Sequence, residues 1–176
     1  MTLTLAAKAP SFTLPGIDGR DHSLDDYADT DLLVLVQSCN HCPYVQAWEG
    51  RMVAIQRDYA DRGVRLVAFN SNDVSRYPGD SFDEMKARAS AEGFNFDYLQ
   101  DEDQSIAGAY GPERTPEVFL FDGDRRLVYH GAIDDSREER AVTAHYLRDA
   151  IDAVLAGRAP DVADTMPVGC TIKWRS

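Results

Sequence analysis

Apolar and polar positions along the chain fall into a few short, clearly periodic segments. Leu32 to Val36, L-L-V-L-V, is an unbroken apolar run of strand length, the pattern of a strand buried on both faces. After Pro43 the apolar residues Val45, Trp48, Met52, Ile55 and Tyr59 recur at intervals of three, four, three and four, which is one face of a helix, and Gly63 supplies its stop. Val64 to Phe69, V-R-L-V-A-F, reads as a second buried strand. The order strand, helix, strand, with a crossover of that length, predicts parallel pairing in a βαβ unit.

Weaker patterns surround this unit. Residues 11 to 23 alternate about Asp18-Gly19, a strong hairpin signal, and Asp25 to Tyr27 add a helical turn. A helix is predicted from Ser81 to Glu92, opened by the capping box Ser81-x-x-Glu84 and closed by Gly93, with Phe94, Phe96 and Tyr98 alternating afterwards like a short strand. Gln100 to Gln104 reads as a solvated turn and helix start. Val118 to Phe121 and Arg126 to Tyr129 flank Asp122-Gly123-Asp124 as an antiparallel hairpin. A last helix is predicted over Glu138 to Ala156, again behind a capping-box pattern, Ser136-x-x-Glu139. The tail from Gly157 to Ser176 is loop-like, yet it ends in P-V-G-C-T-I-K-W-R-S, whose Cys, Ile and Trp gain by docking on the body. The chain therefore reads as one α/β domain, residues 1–176, with that tail laid on it.

Composition narrows the function classes. At 176 residues the chain can bury a core without a disulfide framework, and its net charge of −12 opposes binding to nucleic acid or an anionic membrane. The N-terminus has neither a basic start nor a long apolar run, so a cytosolic chain without membrane association is expected. Three cysteines are an odd count, and in a reducing compartment a close pair points to catalysis or metal binding before it points to a structural staple.

The chemistry concentrates in S-C-N-H-C-P-Y-V, Ser38 to Val45, where the first strand runs into the first helix. Two cysteines three apart can close a small disulfide ring there, and the positive end of the helix dipole with its free backbone N–H groups favours a thiolate. This placement makes Cys39 a candidate nucleophile and Cys42 the resolving thiol. His41 can add charge or a hydrogen bond to the sulfur, and Pro43 suits the first helical position. Two other readings stay open. The cysteines can be a pair of buried small hydrophobes. They can also be metal ligands with His41, completed by Cys170, His22, His130 or His145, although no second C-x-x-C or H-x-x-x-H spacing exists.

The hairpin, strand, C-N-H-C-P, helix, strand order, followed by Arg114-Thr115-Pro116, a hairpin and a final helix, resembles the thioredoxin fold, over roughly Ala9 to Ala156. Within it the chain is similar to the redoxins that include alkyl hydroperoxide reductase, thiol-specific antioxidant and TlpA/ResA-like proteins. It is most similar to a peroxiredoxin-like group that carries both C-N-H-C-P-Y-V and a C-terminal G-C-x-I-K-W, here Gly169 to Trp174. The resemblance implies a central mixed sheet flanked by helices, with an N-terminal β-hairpin extension. It also implies a cis-proline at Pro116 facing the disulfide, with the backbone of Thr115 pairing with substrate.

The family patterns are not all kept. The peroxiredoxin signature P-x-x-x-T-x-x-C places its peroxidatic cysteine on Cys42, its threonine on Cys39 and its proline on Leu35. The peroxidase arginine aligns near Pro116, with Arg114 close but out of register. The buried acid and the tryptophan of thioredoxins fall on Leu33 and Ser38. The expected activity is thiol–disulfide exchange through Cys39 and Cys42, without a cofactor, on protein or small-molecule disulfides, with a cellular thiol as reductant. Peroxidase action on hydroperoxides and a metal-binding module are the alternatives. Cys170 is either a packed tail residue or a third redox thiol.

Overall fold

The computed structural model describes all 176 residues. A small hairpin, β1 (Thr13–Pro15) and β2 (Asp21–Ser23), turns at Asp18-Gly19, where Gly19 takes φ +82, a conformation that glycine adopts without penalty. The central sheet holds β3 (Leu32–Ser38), β4 (Val64–Asn70), β5 (Asp97–Gln100), β7 (Glu117–Phe121) and β8 (Leu127–Gly131), in the order β5-β4-β3-β7-β8. Pairing is parallel from β3 to β4 and β4 to β5, and antiparallel from β3 to β7 and β7 to β8, which makes the sheet mixed. The crossover between β3 and β4 is α1 (Pro43–Tyr59), as the periodicity requires.

Both faces of the sheet are covered, which is why β3 is apolar at successive positions. Leu32, Val34 and Val36 face a core of Trp48, Met52 and Ile55 from α1, Met85 from α2 (Phe82–Glu92), and Leu147 and Ile151 from α4 (Tyr146–Leu155). Leu33 and Leu35 face the opposite core, with Phe12 and Leu14 of the hairpin region and Ile106 and Tyr110 of α3 (Ser105–Tyr110). The α3 helix starts where the acidic turn ends, because the buried Asp101 carboxylate accepts the backbone N–H groups of Ile106 (3.2 Å) and Ala107 (2.9 Å). No helix is long and apolar enough to cross a membrane.

Two elements differ from expectation. Helix α4 begins at Tyr146, because the residues before it have other hydrogen-bond partners. Arg51 on α1 takes the carbonyls of Ser136 (2.7 Å) and Arg137 (2.5 Å), and Asp135 accepts Thr143 N–H (2.9 Å), so these groups cannot enter a helical ladder. Only a short 3₁₀ turn, Glu139–Ala141, forms there, and the Ser136 hydroxyl accepts Glu138 N–H in place of the expected Glu139. The strand expected over Phe94 to Tyr98 starts at Asp97, since Phe94 N–H bonds back to Ala89 O (3.0 Å) as part of the α2 cap behind Gly93. Two further short strands, β6 (Arg114–Thr115) and β9 (Cys170–Thr171), pair with each other in a two-stranded antiparallel sheet.

Candidate active site

The C-terminal ends of β3 and β4 lie side by side, with Ser38 in register with Asn70, and the chain leaves β3 directly into Cys39. Such strand ends are where open α/β sheets place their chemistry. Cys42 is the N-cap residue of α1 and Pro43 its first residue, where the missing N–H has no helical partner. Opposite them stands the Thr115–Pro116 peptide, which is cis. Thr115 is fully buried; its hydroxyl lies 3.6 Å from Cys39 Sγ and its carbonyl 3.5 Å from Cys42 Sγ. Cys170, paired with Thr115 through β9, joins Cys39, Cys42 and Val45 in one small cluster.

Cys42 Sγ is the middle sulfur of the three. It interacts with both the Cys39 and the Cys170 thiol, and it receives the Val45 N–H of the first helical turn. The Cys39 hydrogen bond, with help from Cys170, Val45 and Thr115, outweighs burial and pulls the Cys42 thiol below the usual cysteine range. Cys39 is pushed far up, because it gives its proton to the Cys42 hydrogen bond, is buried, and faces the Asp80 charge. Cys170 is pushed up to about 11 by burial and by the charge on Cys42. The two thiols therefore titrate as a pair, and the helix N-terminus favours charge on Cys42.

The loop that carries the cysteines is pinned by buried polar groups. Asn40 N–H donates to Asp80 Oδ1 (2.6 Å), Tyr98 Oη donates to Asn40 Oδ1 (2.7 Å), and Gln46 Nε2 donates to Asn40 O (2.8 Å). Asp80 also accepts from Asn70 Nδ2 and Asn72 Nδ2, both at 3.0 Å. His41 is exposed, with its ring packed so closely on Gly79 that a Cβ there would stand 1.3 Å from Nε2. The Thr115 loop is held by Glu117, a fully buried carboxylate whose Oε2 accepts the N–H groups of Glu113 and Arg114, both at 2.8 Å. Its Oε1 meets His130 Nε2 at 2.6 Å, and His130 Nδ1 meets Asp164 of the tail at 2.8 Å. The Arg114 guanidinium turns to the Glu113 carbonyl (3.4 Å), away from the sulfurs.

The family model of the AhpC/TSA family matches residues 5–130. The chain belongs to the AhpC/TSA family. A hypothetical protein from Sinorhizobium meliloti 1021 is 38% identical over 100% of this chain and 97% of its own, with a TM-score of 0.94. Two structures of lower identity share the thioredoxin-like fold. A thiol:disulfide interchange protein of the thioredoxin family from Chlorobium tepidum TLS is 17% identical (77% and 92% coverage, TM-score 0.63). Peroxidoxin BcpB from Mycobacterium tuberculosis is 16% identical (88% and 95% coverage, TM-score 0.62). No curated protein matches the sequence.

In this AhpC/TSA chain the structure brings Cys39, Cys42, Thr115, Pro116 and Cys170 together and sets His41 and Arg114 at the margin. The three mutually adjacent metal-ligand candidates, within 4.8 Å of one another, are Asp18, His22 and Asp97 by the N-terminal hairpin, a group that contains no cysteine. His22 and His130 are satisfied by carboxylates. Sequence reasoning did not single out Asp80 or Glu117. A signal for the first existed: the polar run Asn70 to Asp73 sits at the carboxyl end of the buried parallel strand β4, where open α/β sheets place their sites. Glu117 stands at the head of an apolar strand, directly after the proline that faces the cysteines.

Proposed function

We propose that the chain is a thiol–disulfide oxidoreductase that cycles Cys39 and Cys42 between dithiol and disulfide. The observation that carries this reading is geometric: Cys39 and Cys42 lie in one cluster at the head of α1, with the Thr115 hydroxyl 3.6 Å from the Cys39 sulfur and the Thr115 carbonyl 3.5 Å from the Cys42 sulfur. The Cys42 thiolate attacks one sulfur of a substrate disulfide, forms a mixed disulfide and expels the other half as a thiolate. Cys39 then attacks Cys42 Sγ and passes its proton to the second departing sulfur, so the substrate leaves as one thiolate and one thiol and the Cys39–Cys42 disulfide remains. A cellular thiol reductant restores the dithiol. We assign the attack to Cys42, a role that sequence alone gives to Cys39, because Cys42 stands at the head of α1 with the Val45 N–H of its first turn directed to the sulfur. Thr115 and Pro116 line the substrate edge, and Asp80 fixes the loop. A cytosolic setting suits a pair that must be kept reduced.

The test is trapping. In Cys39→Ser/Cys170→Ser no neighbouring thiol can resolve the mixed disulfide, so incubation with insulin should accumulate a covalent adduct on Cys42, and Cys42→Ser should give none. Adducts on Cys42→Ser alone would return attack to Cys39, and folded variants that both fail to trap insulin would end the exchange reading.

One observation favours a second reading as a thiol peroxidase: the lowered thiolate sits at the helix N-terminus on the peroxidatic position of the peroxiredoxin signature. Against it, Leu35 and Cys39 replace the signature's proline and threonine, and no arginine is among the hydrogen-bond partners of the Cys42 sulfur.

A further inference from the structure

The edge at which a substrate strand would pair with Thr115 is already filled by the chain itself. Strand β9 lies antiparallel on β6, with Cys170 opposite Thr115 and Thr171 opposite Arg114. Gly169 passes so close to the loop that a Cβ there would stand 1.9 Å from Thr115 O, so only glycine permits this approach. The strand is anchored on both sides. Before it, Thr165 N–H donates to His130 O (2.9 Å), and Asp164 pairs with His130. After it, Lys173 and Asn72 to Asp73 exchange hydrogen bonds of 2.8 and 2.9 Å, and Gln104 Oε1 accepts Arg175 N–H (2.9 Å). This docking packs Cys170 against the Cys39 and Cys42 cluster, where Cys42 is the thiol it interacts with, and it leaves Cys39 and Cys42 only 3% and 4% exposed.

We propose that Gly169–Thr171 is a built-in substrate strand and that Cys170 is the third thiol of an internal relay. This rests on the Cys39–Cys42 disulfide of the proposed function. In the relay the Cys170 sulfur, as its proton leaves, attacks Cys42 Sγ. The Cys42–Cys170 bond forms, the Cys39–Cys42 bond breaks, and Cys39 leaves as the thiol that takes up the proton. One disulfide and one thiol stand on each side of this exchange, so no external oxidant or reductant is consumed. Its consequence is that the oxidising equivalent moves from the buried pair to the half-buried tail, from which an outside thiol can collect it.

The relay is tested by equilibrating the full chain in mixtures of oxidised and reduced dithiothreitol, quenching in acid, alkylating, and mapping disulfides by peptide mass spectrometry. Wild-type protein should show both Cys39–Cys42 and Cys42–Cys170 bonds, in a ratio independent of the redox buffer, since their exchange carries no net electrons. Gly169→Ala should lower the share of Cys42–Cys170 by about tenfold or more, while a cooperative urea-unfolding transition reports an intact fold. Cys39→Ser should form Cys42–Cys170 as its only bond. A wild-type Cys39–Cys42 bond with no Cys42–Cys170 in wild type or Cys39→Ser overturns the relay, as does a ratio that Gly169→Ala leaves unchanged. Failure of Cys39–Cys42 to form in both wild type and Cys170→Ser would overturn the dithiol reading instead.

Discussion

Replacing Asp80 by alanine removes the acceptor of three buried donors at once: Asn40 N–H, Asn70 Nδ2 and Asn72 Nδ2. Each buried donor left without a partner costs about 1–3 kcal/mol, and rotation of the two Asn side chains recovers part of that, so a total near 3–5 kcal/mol is expected. That is a large share of the roughly 5–15 kcal/mol that holds a typical domain folded. Asp80→Asn keeps the volume and one acceptor oxygen and should cost about half as much. The same substitution carries an electrostatic readout: the Asp80 charge opposes a thiolate on Cys39, so in Asp80→Asn the Cys39 thiol should release its proton at lower pH than in wild type. Urea unfolding of the reduced protein measures the first effect, and thiolate ultraviolet absorbance against pH in Cys42→Ser and Cys42→Ser/Asp80→Asn measures the second. A loss below about 1 kcal/mol in Asp80→Ala, or a Cys39 titration that stays put or moves upward, would refute the assigned role.

Three further outcomes follow from the same geometry. Burial pulls the His130 pKa down, but the Glu117 and Asp164 carboxylates outweigh it and the net shift is upward. The stability that His130 contributes is therefore complete below its unfolded value, about 6.5, and fades as pH rises through the folded value. The stability difference between wild type and His130→Gln should be larger at about pH 5.5 than at about pH 8.5 in urea unfolding, and a difference that grows with pH would contradict the pairing. The reduced protein should carry one thiolate at neutral pH, titrating below the usual cysteine range, that Cys42→Ser abolishes; full thiolate absorbance in Cys42→Ser would place the charge elsewhere. Gly63 takes φ +76, and a Cβ there would stand 2.2 Å from Asp31 Oδ2, so Gly63→Ala should cost about 1–2 kcal/mol in thermal or urea unfolding while leaving the thiolate titration unchanged; a neutral substitution would mean that the α1–β4 turn is not held as described.

The sequence carried the βαβ unit because β3, α1 and β4 are long, strongly periodic and bounded by Pro43 and Gly63, so local pattern and tertiary role agree. It also placed Cys39 and Cys42 at the strand-to-helix turn, since that placement is local. The start of α4 was not legible, because the competing claim on residues 135–144 comes from Arg51, a residue distant in the chain whose reach no periodicity encodes. Asp80 and Glu117 were missed for the same reason. Each is one acid among many in an acidic chain, and its role exists only after the sheet brings Asn40 or His130 beside it. The tail shows the limit most clearly. Its apolar residues suggested docking, but the register that sets Cys170 opposite Thr115 depends on Gly169 fitting under a carbonyl at the far end of the fold.

On the proposed function the cysteine pair acts on disulfides ahead of hydroperoxides. The most direct measurement compares second-order rates for the fully reduced protein, by stopped flow, with hydrogen peroxide and with a small disulfide such as oxidised glutathione. Disulfide exchange should outrun that of an ordinary thiolate of the same basicity, while peroxide should react no faster than such a thiolate does, given an approach without the signature threonine or arginine. Peroxide oxidation orders of magnitude above that reference, with ordinary disulfide exchange, would contradict the claim and make the site a peroxidase.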